Sequence, residues 1–161
     1  QQLVPSADAE YRQPVEVALR KKNRKLIHNA ELVCYPPGSF YSSLVANLLP
    51  KGVADAIASN RSPKVYIPNL EQDPEQLGMT MDSSIQTLLR YLHQGGGKKY
   101  NNGDFLNFVL LDSGHGSYLD RPSAALMEEL GIQQIETKLV SKSSAPYYDS
   151  RRLASALLSL T

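Results

Sequence analysis

Val33-Cys34-Tyr35-Pro36-Pro37-Gly38-Ser39-Phe40-Tyr41-Ser42-Ser43 passes from an apolar run into residues that start helices. The run over 31–35 carries Val and Tyr and is bounded by turn residues, so it predicts a short buried strand. Gly38 lets the backbone come close to a ligand, while Ser39, Ser42 and Ser43 set hydroxyls beside the free N–H groups of a helix start. A strand-to-helix turn of this kind holds an anion, such as a phosphate of a nucleotide-type ligand. A plain tight turn with N-capping serines accounts for the same residues.

Outward from this turn, strands and helices alternate. A helix is expected over 42–59, with Leu44, Val45, Leu48, Leu49, Val53 and Ile57 on its apolar side and a break at Pro50-Lys51-Gly52. A strand follows at 64–68. After an acidic loop over 69–78, a helix over 80–93 spaces Ile85, Leu88, Leu89 and Leu92 helically. The glycine-rich stretch 95–103 lacks the Lys-Ser/Thr ending of a phosphate loop and reads as a flexible surface connection. Strands at 105–112 and 134–140, a helix over 122–130 ended by Gly131, and a closing helix over 149–160 complete the pattern. Upstream, 15–30 fits a helix only loosely, and its Arg20, Lys21, Lys22, Arg24 and Lys25 read as a solvated face. The expected class is α/β, Rossmann-like, with a mostly parallel sheet and helices on both faces. It forms a single domain over 15–161 behind an irregular entry segment at 1–14.

Composition narrows the function. The 161 residues are 42% hydrophobic and 20% charged, with a formal net charge of +1, which is ordinary for a globular domain. Nothing in that balance calls for nucleic acid or a membrane as partner, and the longest apolar runs fall short of the roughly 20 residues that span a bilayer. The lone Cys34, placed in an apolar run and read as core packing, points to a reducing compartment and hence the cytoplasm. A homo-oligomer is compatible with the sequence.

Ligands of open α/β sheets sit beyond the carboxyl ends of the strands. Besides the turn at Gly38, two loops qualify. Asn69 follows a strand and leads through Asp73 and Glu75 to Gly78-Met79-Thr80-Met81-Asp82. There Thr80 suits helix initiation, while Asn69 and Asp82 could hydrogen-bond a substrate. Asp112-Ser113-Gly114-His115-Gly116-Ser117 could close over a ligand. No Gly-x-Ser-x-Gly elbow supports a serine hydrolase, and His28, His93 and His115 have no metal-ligand spacing.

The stretch 30–43, followed by Asn47-Leu48-Leu49-Pro50-Lys51-Gly52-Val53, resembles the CofD/YvcK family, whose motif runs approximately A-D-L-I-V-x-G-P-G-S-L-Y-T-S and then P-N-L-L-x-x-G-I. The likeness continues in register through Lys64-Val65-Tyr66-Ile67-Pro68-Asn69 and Gly78-Met79-Thr80-Met81-Asp82, and more weakly through Tyr148-Asp149 and Arg151-Arg152-Leu153-Ala154. Pro36 replaces the family's first glycine and Tyr148 its usual His. The family's opening Gly-Gly-Gly-Thr-Gly turn does not occur, so the chain resembles the C-terminal portion of a member.

This resemblance implies a Rossmann-like protein that binds a nucleotide diphosphate conjugate, a small-molecule partner of UDP-sugar or GDP type. The implied ligand-binding and phosphate-binding residues are Pro37, Gly38, Ser39, Tyr41, Ser42, Ser43, Asn47, Asn69, Thr80 and Asp82. The Gly-Ser-Phe-Tyr-Ser-Ser form is nearer the YvcK-like branch, which acts in carbon metabolism and cell shape. The alternative, CofD-like branch is a transferase moving a phospholactyl-type group onto a deazaflavin with magnesium, for which Asp82 or Asp73 would be the metal ligand. A non-catalytic interaction module is the third expectation.

Overall fold

A computed structural model describes residues 16–96, 99–114 and 116–161. The entry segment expected at 1–14 lies outside them, as do Gly97 and Lys98 of the glycine-rich stretch and His115. The strands are β1 (Val33–Tyr35), β2 (Lys64–Tyr66), β3 (Phe108–Asp112) and β4 (Gln133–Thr137). They form one sheet in the order β1-β2-β3-β4, and every pairing is parallel: Cys34 lies opposite Val65, Val65 opposite Phe108, and Leu110 opposite Ile135.

Strand order that advances in one direction puts right-handed crossovers on one face. The first connection is a π-helical segment (Phe40–Val45) running straight into α2 (Ala46–Leu48) and then α3 (Val53–Ala58). The second is α4 (Met81–Gly96) and the third α5 (Ala124–Leu130). Successive strand side chains point to opposite faces. Thus Tyr35, Tyr66, Val109 and Leu111 join Phe40, Ile57, Ile85, Leu88, Leu92 and Met127 in the larger core. On the other face Val65, Ile67, Leu110 and Leu139 pack against Leu153, Ala156 and Leu157 of α6 (Ser150–Leu158). Helices therefore cover both faces of this α/β fold, unequally, with α6 as the cover of the second. Cys34 is half-buried there, and burial pushes its thiol up.

Helix positions follow the sequence closely. Ile85, Leu88, Leu89 and Leu92 are all buried. The expected break at 50–52 is present, with Gly52 at φ +92° heading α3. The upstream helix is the shorter α1 (Lys21–His28), which buries none of its residues and carries Lys21, Lys22, Arg24 and Lys25 on its exposed surface.

The glycine-rich stretch differs from expectation at its start. Gly95 and Gly96 belong to the last turn of α4, and Gly96 is buried so tightly that a Cβ would stand 3.0 Å from the rings of Phe105 and Tyr100. These glycines serve close packing, not flexibility. At the other chain end, β3 and β4 stop shorter than expected: Phe105, Leu106, Leu139 and Val140 are buried in non-strand backbone, so the apolar runs are longer than the strands.

Candidate functional site

β1 ends at Tyr35, whose ring is in the core and whose hydroxyl donates to the Phe105 carbonyl at 2.7 Å. Anchoring that residue fixes where Pro36-Pro37-Gly38-Ser39 leaves the sheet. Gly38 adopts φ +152°, a region L side chains rarely enter, although a Cβ there would meet nothing nearer than Ser43 Cβ at 3.8 Å. Conformation, not crowding, requires glycine.

The adjacent strand supplies the support. β2 continues into Ile67, whose N–H donates to the Tyr35 carbonyl at 2.9 Å, and this alignment sets Asn69 beside Gly38. The Gly38 N–H donates to Asn69 Oδ1 at 2.8 Å, and Asn69 Nδ2 donates to the Gly38 carbonyl at 2.9 Å. Pro37, Gly38, Ser39, Asn69, Leu70 and Gln72, with Tyr147 and Tyr148 opposite, line an open cleft of about 500 Å³ at the carboxyl ends of β1 and β2. The Ser39 side chain makes no capping bond. Glu71 and Asp73 also line the cleft, and among the described residues no Lys, Arg or His does.

The N–H groups at the helix start, offered by the sequence to an anion, are held by the chain's own carboxylates. The Phe40 N–H donates to Asp73 Oδ2 at 2.7 Å. The Tyr41 and Ser42 N–H groups both donate to Glu75 Oε2, at 2.7 and 2.9 Å. The Ser42 hydroxyl and N–H, then the Tyr41 N–H, hold the Glu75 carboxyl below the usual carboxylate range. The N–H groups expected to face a ligand anion are thus taken by Asp73 and Glu75.

The remaining expected residues scatter. The Tyr41 hydroxyl donates to Met79 Sδ at 3.8 Å. Ser43 and Asn47 face a separate groove of about 470 Å³ beside Val33, Cys34 and Leu48, with Asn47 Nδ2 donating to the Ser43 carbonyl. Thr80 caps α4 through Ser83. Asp82 accepts the Ser123 N–H at 2.8 Å and hydroxyl at 2.6 Å, tying α4 to the start of α5. Neither Thr80 nor Asp82 lines the cleft at Gly38.

Magnesium would need oxygen ligands gathered around one point. Among the described residues no three His, Cys, Asp or Glu side chains converge, and Asp73 and Asp82 each accept from protein donors at different places. Those two aspartates do not fit a shared magnesium ion.

Asp112 and a tyrosine relay were not picked out by sequence as site-builders. Asp112 ends β3 almost wholly buried. Its Oδ2 accepts the N–H of Gly114 and of Gly116, each at 2.9 Å. Its Oδ1 accepts from Leu139 at 2.5 Å and Val140 at 2.8 Å. The loop after β3 is therefore pinned to the chain beyond β4. The Asp112 N–H donates to the Tyr118 hydroxyl at 2.8 Å, which lies 3.1 Å from the Tyr148 hydroxyl, and Tyr148 donates to the Pro68 carbonyl at 2.7 Å. Burial pushes the Tyr148 and Tyr118 phenols up and that of Tyr66 up to about 12. An acidic residue at a strand end before alternating glycines was the available sequence signal for Asp112; the Tyr118–Tyr148 pairing had none.

Comparison with known proteins agrees with this architecture. The profile of the family described as 2-phospho-L-lactate transferase CofD matches residues 3–145. A gluconeogenesis factor of Listeria monocytogenes is 29% identical over 140 residues, covering 83% of this chain and 42% of that protein. A putative gluconeogenesis factor of Thermotoga maritima is 38% identical over 69 residues, 42% of this chain and 22% of that one. The crystal structure of a UPF0052 family protein from Bacillus halodurans superposes with a TM-score of 0.68 at 21% identity, over 88% of this chain and 47% of that one. The chain thus spans half or less of the length of these relatives. No helix among the described residues is long and apolar enough to cross a membrane. With the profile running through the strand-to-helix turn and the Asn69 loop alike, the chain belongs to the CofD/YvcK family.

Proposed function

We propose that the cleft at Gly38 binds a nucleotide diphosphate conjugate of UDP-sugar or GDP type, in the cytoplasm, and that the chain contributes one wall of that site. The clasp of Asn69 on Gly38 carries this reading, because it holds an unusual backbone conformation open at the carboxyl ends of two parallel strands, where α/β folds take ligands. The volume, about 500 Å³, falls within the range of small-molecule sites. Tyr147, 70% exposed, offers a ring face to a sugar or base, and the Ser39 hydroxyl offers a hydrogen bond. Because no cation among the described residues lines this cleft, neutral donors would carry the contacts these residues make.

Calorimetry with UDP-N-acetylglucosamine and GDP conjugates tests this. Ser39→Ala combined with Gly38→Val should abolish binding. Unchanged affinity in that double variant would remove the assignment.

The family profile's own description supports a second reading, transfer of a phospholactyl-type group, for which the sequence resemblance implies a deazaflavin acceptor. Turnover with a deazaflavin acceptor would favour it. Saturable binding of UDP-sugars without turnover would favour the YvcK-like role.

A further inference from the structure

Cations gather in a different place at the same end of the sheet. Lys138, Lys142 and Arg152 surround a second cleft of about 510 Å³ beyond β3 and β4, with Ser141, Ser143 and Gly114 between them. None of the three cations makes an ion pair among the described residues. Asp112 is the acid on the lining, and its two oxygens already accept four backbone N–H groups. Asp149 caps α6, accepting the N–H groups of Arg151 and Arg152, and its carboxyl is held low by the Ser141 side chain first and also by the charge of Arg152. The cleft therefore sets three cations against the carboxylates of Asp112 and Asp149, which leaves a surplus of positive charge.

Its walls are also organised. Arg152 Nη1 donates to the Val140 carbonyl at 2.8 Å, which fixes one edge of the guanidinium and leaves the other for a ligand. The serine turn is closed by Ser141 N–H donating to Ser144 Oγ at 3.0 Å and Ser144 N–H donating to Ser141 Oγ at 3.1 Å. Ser141 Oγ stands 3.0 Å from Ser143 Oγ and is engaged within the turn and by the Asp149 carboxylate, so Ser143 supplies the hydroxyl that faces a ligand.

We propose that this cleft is a second binding site, for the phosphate group of a phosphorylated small molecule, contacted by Lys138, Lys142 and Arg152 with the hydroxyl of Ser143. Doubly charged phosphate oxygens match three converging cations better than a carboxylate does, because each N⁺–H···O⁻ bond is charge-assisted. The site stands independently of the nucleotide-conjugate reading, since it shares no lining residue with the Gly38 cleft.

The test is amide NMR titration of the full chain with inorganic pyrophosphate and, separately, with glucose 6-phosphate and with sulfate. Saturable shifts should map to 138–143 and 150–152 with both phosphate probes, and pyrophosphate should bind more tightly than sulfate. Lys138→Ala with Lys142→Ala should weaken binding at least about tenfold, Arg152→Ala similarly, and Arg152→Lys much less. Lys21→Ala with Lys22→Ala on α1 should change nothing. The proposal is overturned by absence of saturation at millimolar probe, by saturable shifts that leave 138–143 and 150–152 unmoved, or by an equal loss in the α1 variant, which would show only diffuse charge attraction.

Discussion

Asn69 and Gly38 exchange two hydrogen bonds, Gly38 N–H to Asn69 Oδ1 at 2.8 Å and Asn69 Nδ2 to the Gly38 carbonyl at 2.9 Å, so that one side-chain amide stands in for a neighbouring strand. The arrangement requires both a donor and an acceptor on residue 69. Asn69→Ala should destabilise the fold by about 1–2 kcal/mol in urea denaturation. Asn69→Asp should cost at least as much at neutral pH, because its second oxygen would face the Gly38 carbonyl. Equal stability of Asn69→Asp and the parent chain would show that the clasp does not hold the turn.

Glu75 makes the stability of the same turn depend on pH. Its carboxyl is held below the usual range by Ser42 first and then by Tyr41. A depressed folded value means that the stabilisation is fully present above the unfolded carboxylate value, about 4.3. It is lost as pH falls through the lower folded value. Glu75→Gln should therefore be less stable than the parent at pH 7, with the gap closing under acid conditions. Thermal midpoints across pH 2–7 read this directly; a constant gap would assign the effect to shape and not to charge.

How much of this was legible in sequence depended on range. The helix at 81–96 declared itself through Ile85, Leu88, Leu89 and Leu92, because core periodicity is local. Gly38 was equally visible, since a Pro-Pro-Gly-Ser turn between a strand and a helix has few conformational solutions. The occupants of the turn's N–H groups were not visible. Asp73 and Glu75 reach Phe40, Tyr41 and Ser42 across 33 or 34 positions, and only the parallel register of β1 on β2 brings those segments together. The tie made by Asp82 was hidden for a related reason. Its helix-entry position suits a ligand contact and an interhelical tie equally, and Ser123 is 41 residues away. Gly95 and Gly96 show the converse error: glycine composition suggests flexibility, whereas the packing of Phe105 and Ala54 demands the missing side chains.

Asp112 is the most consequential single polar side chain for the loops at the β3–β4 end. It is 1% exposed and satisfies N–H groups from two segments, Gly114 and Gly116 on one side and Leu139 and Val140 on the other. Asp112→Ala leaves buried donors without a partner and should cost about 3 kcal/mol or more. Asp112→Asn should be milder but still destabilising, since an amide carries one acceptor oxygen in place of two. Hydrogen exchange at Leu139 and Val140 supplies the check: both amides should lose protection in Asp112→Ala while Leu88 in α4 keeps its own. Preserved protection at Leu139 would mean that Asp112 does not pin that segment.

Tyr148 stands where the sequence resemblance led us to expect His, and the structure gives it work that a phenol can do. Its hydroxyl donates to the Pro68 carbonyl at 2.7 Å and lies 3.1 Å from Tyr118, which places one end of the relay beside Asn69 and the other at the Asp112 N–H. Tyr148→Phe should lose about 1 kcal/mol at neutral pH. Burial raises this phenol far above its ordinary value, so the contribution is fully present below the unfolded value near 10 and fades as pH rises past it. In absorbance titration, Tyr148→Phe should remove no tyrosinate amplitude in the ordinary range around pH 10 while the chain stays folded. Loss of one tyrosine's amplitude there would show that Tyr148 is open to solvent and that the relay does not link the two clefts.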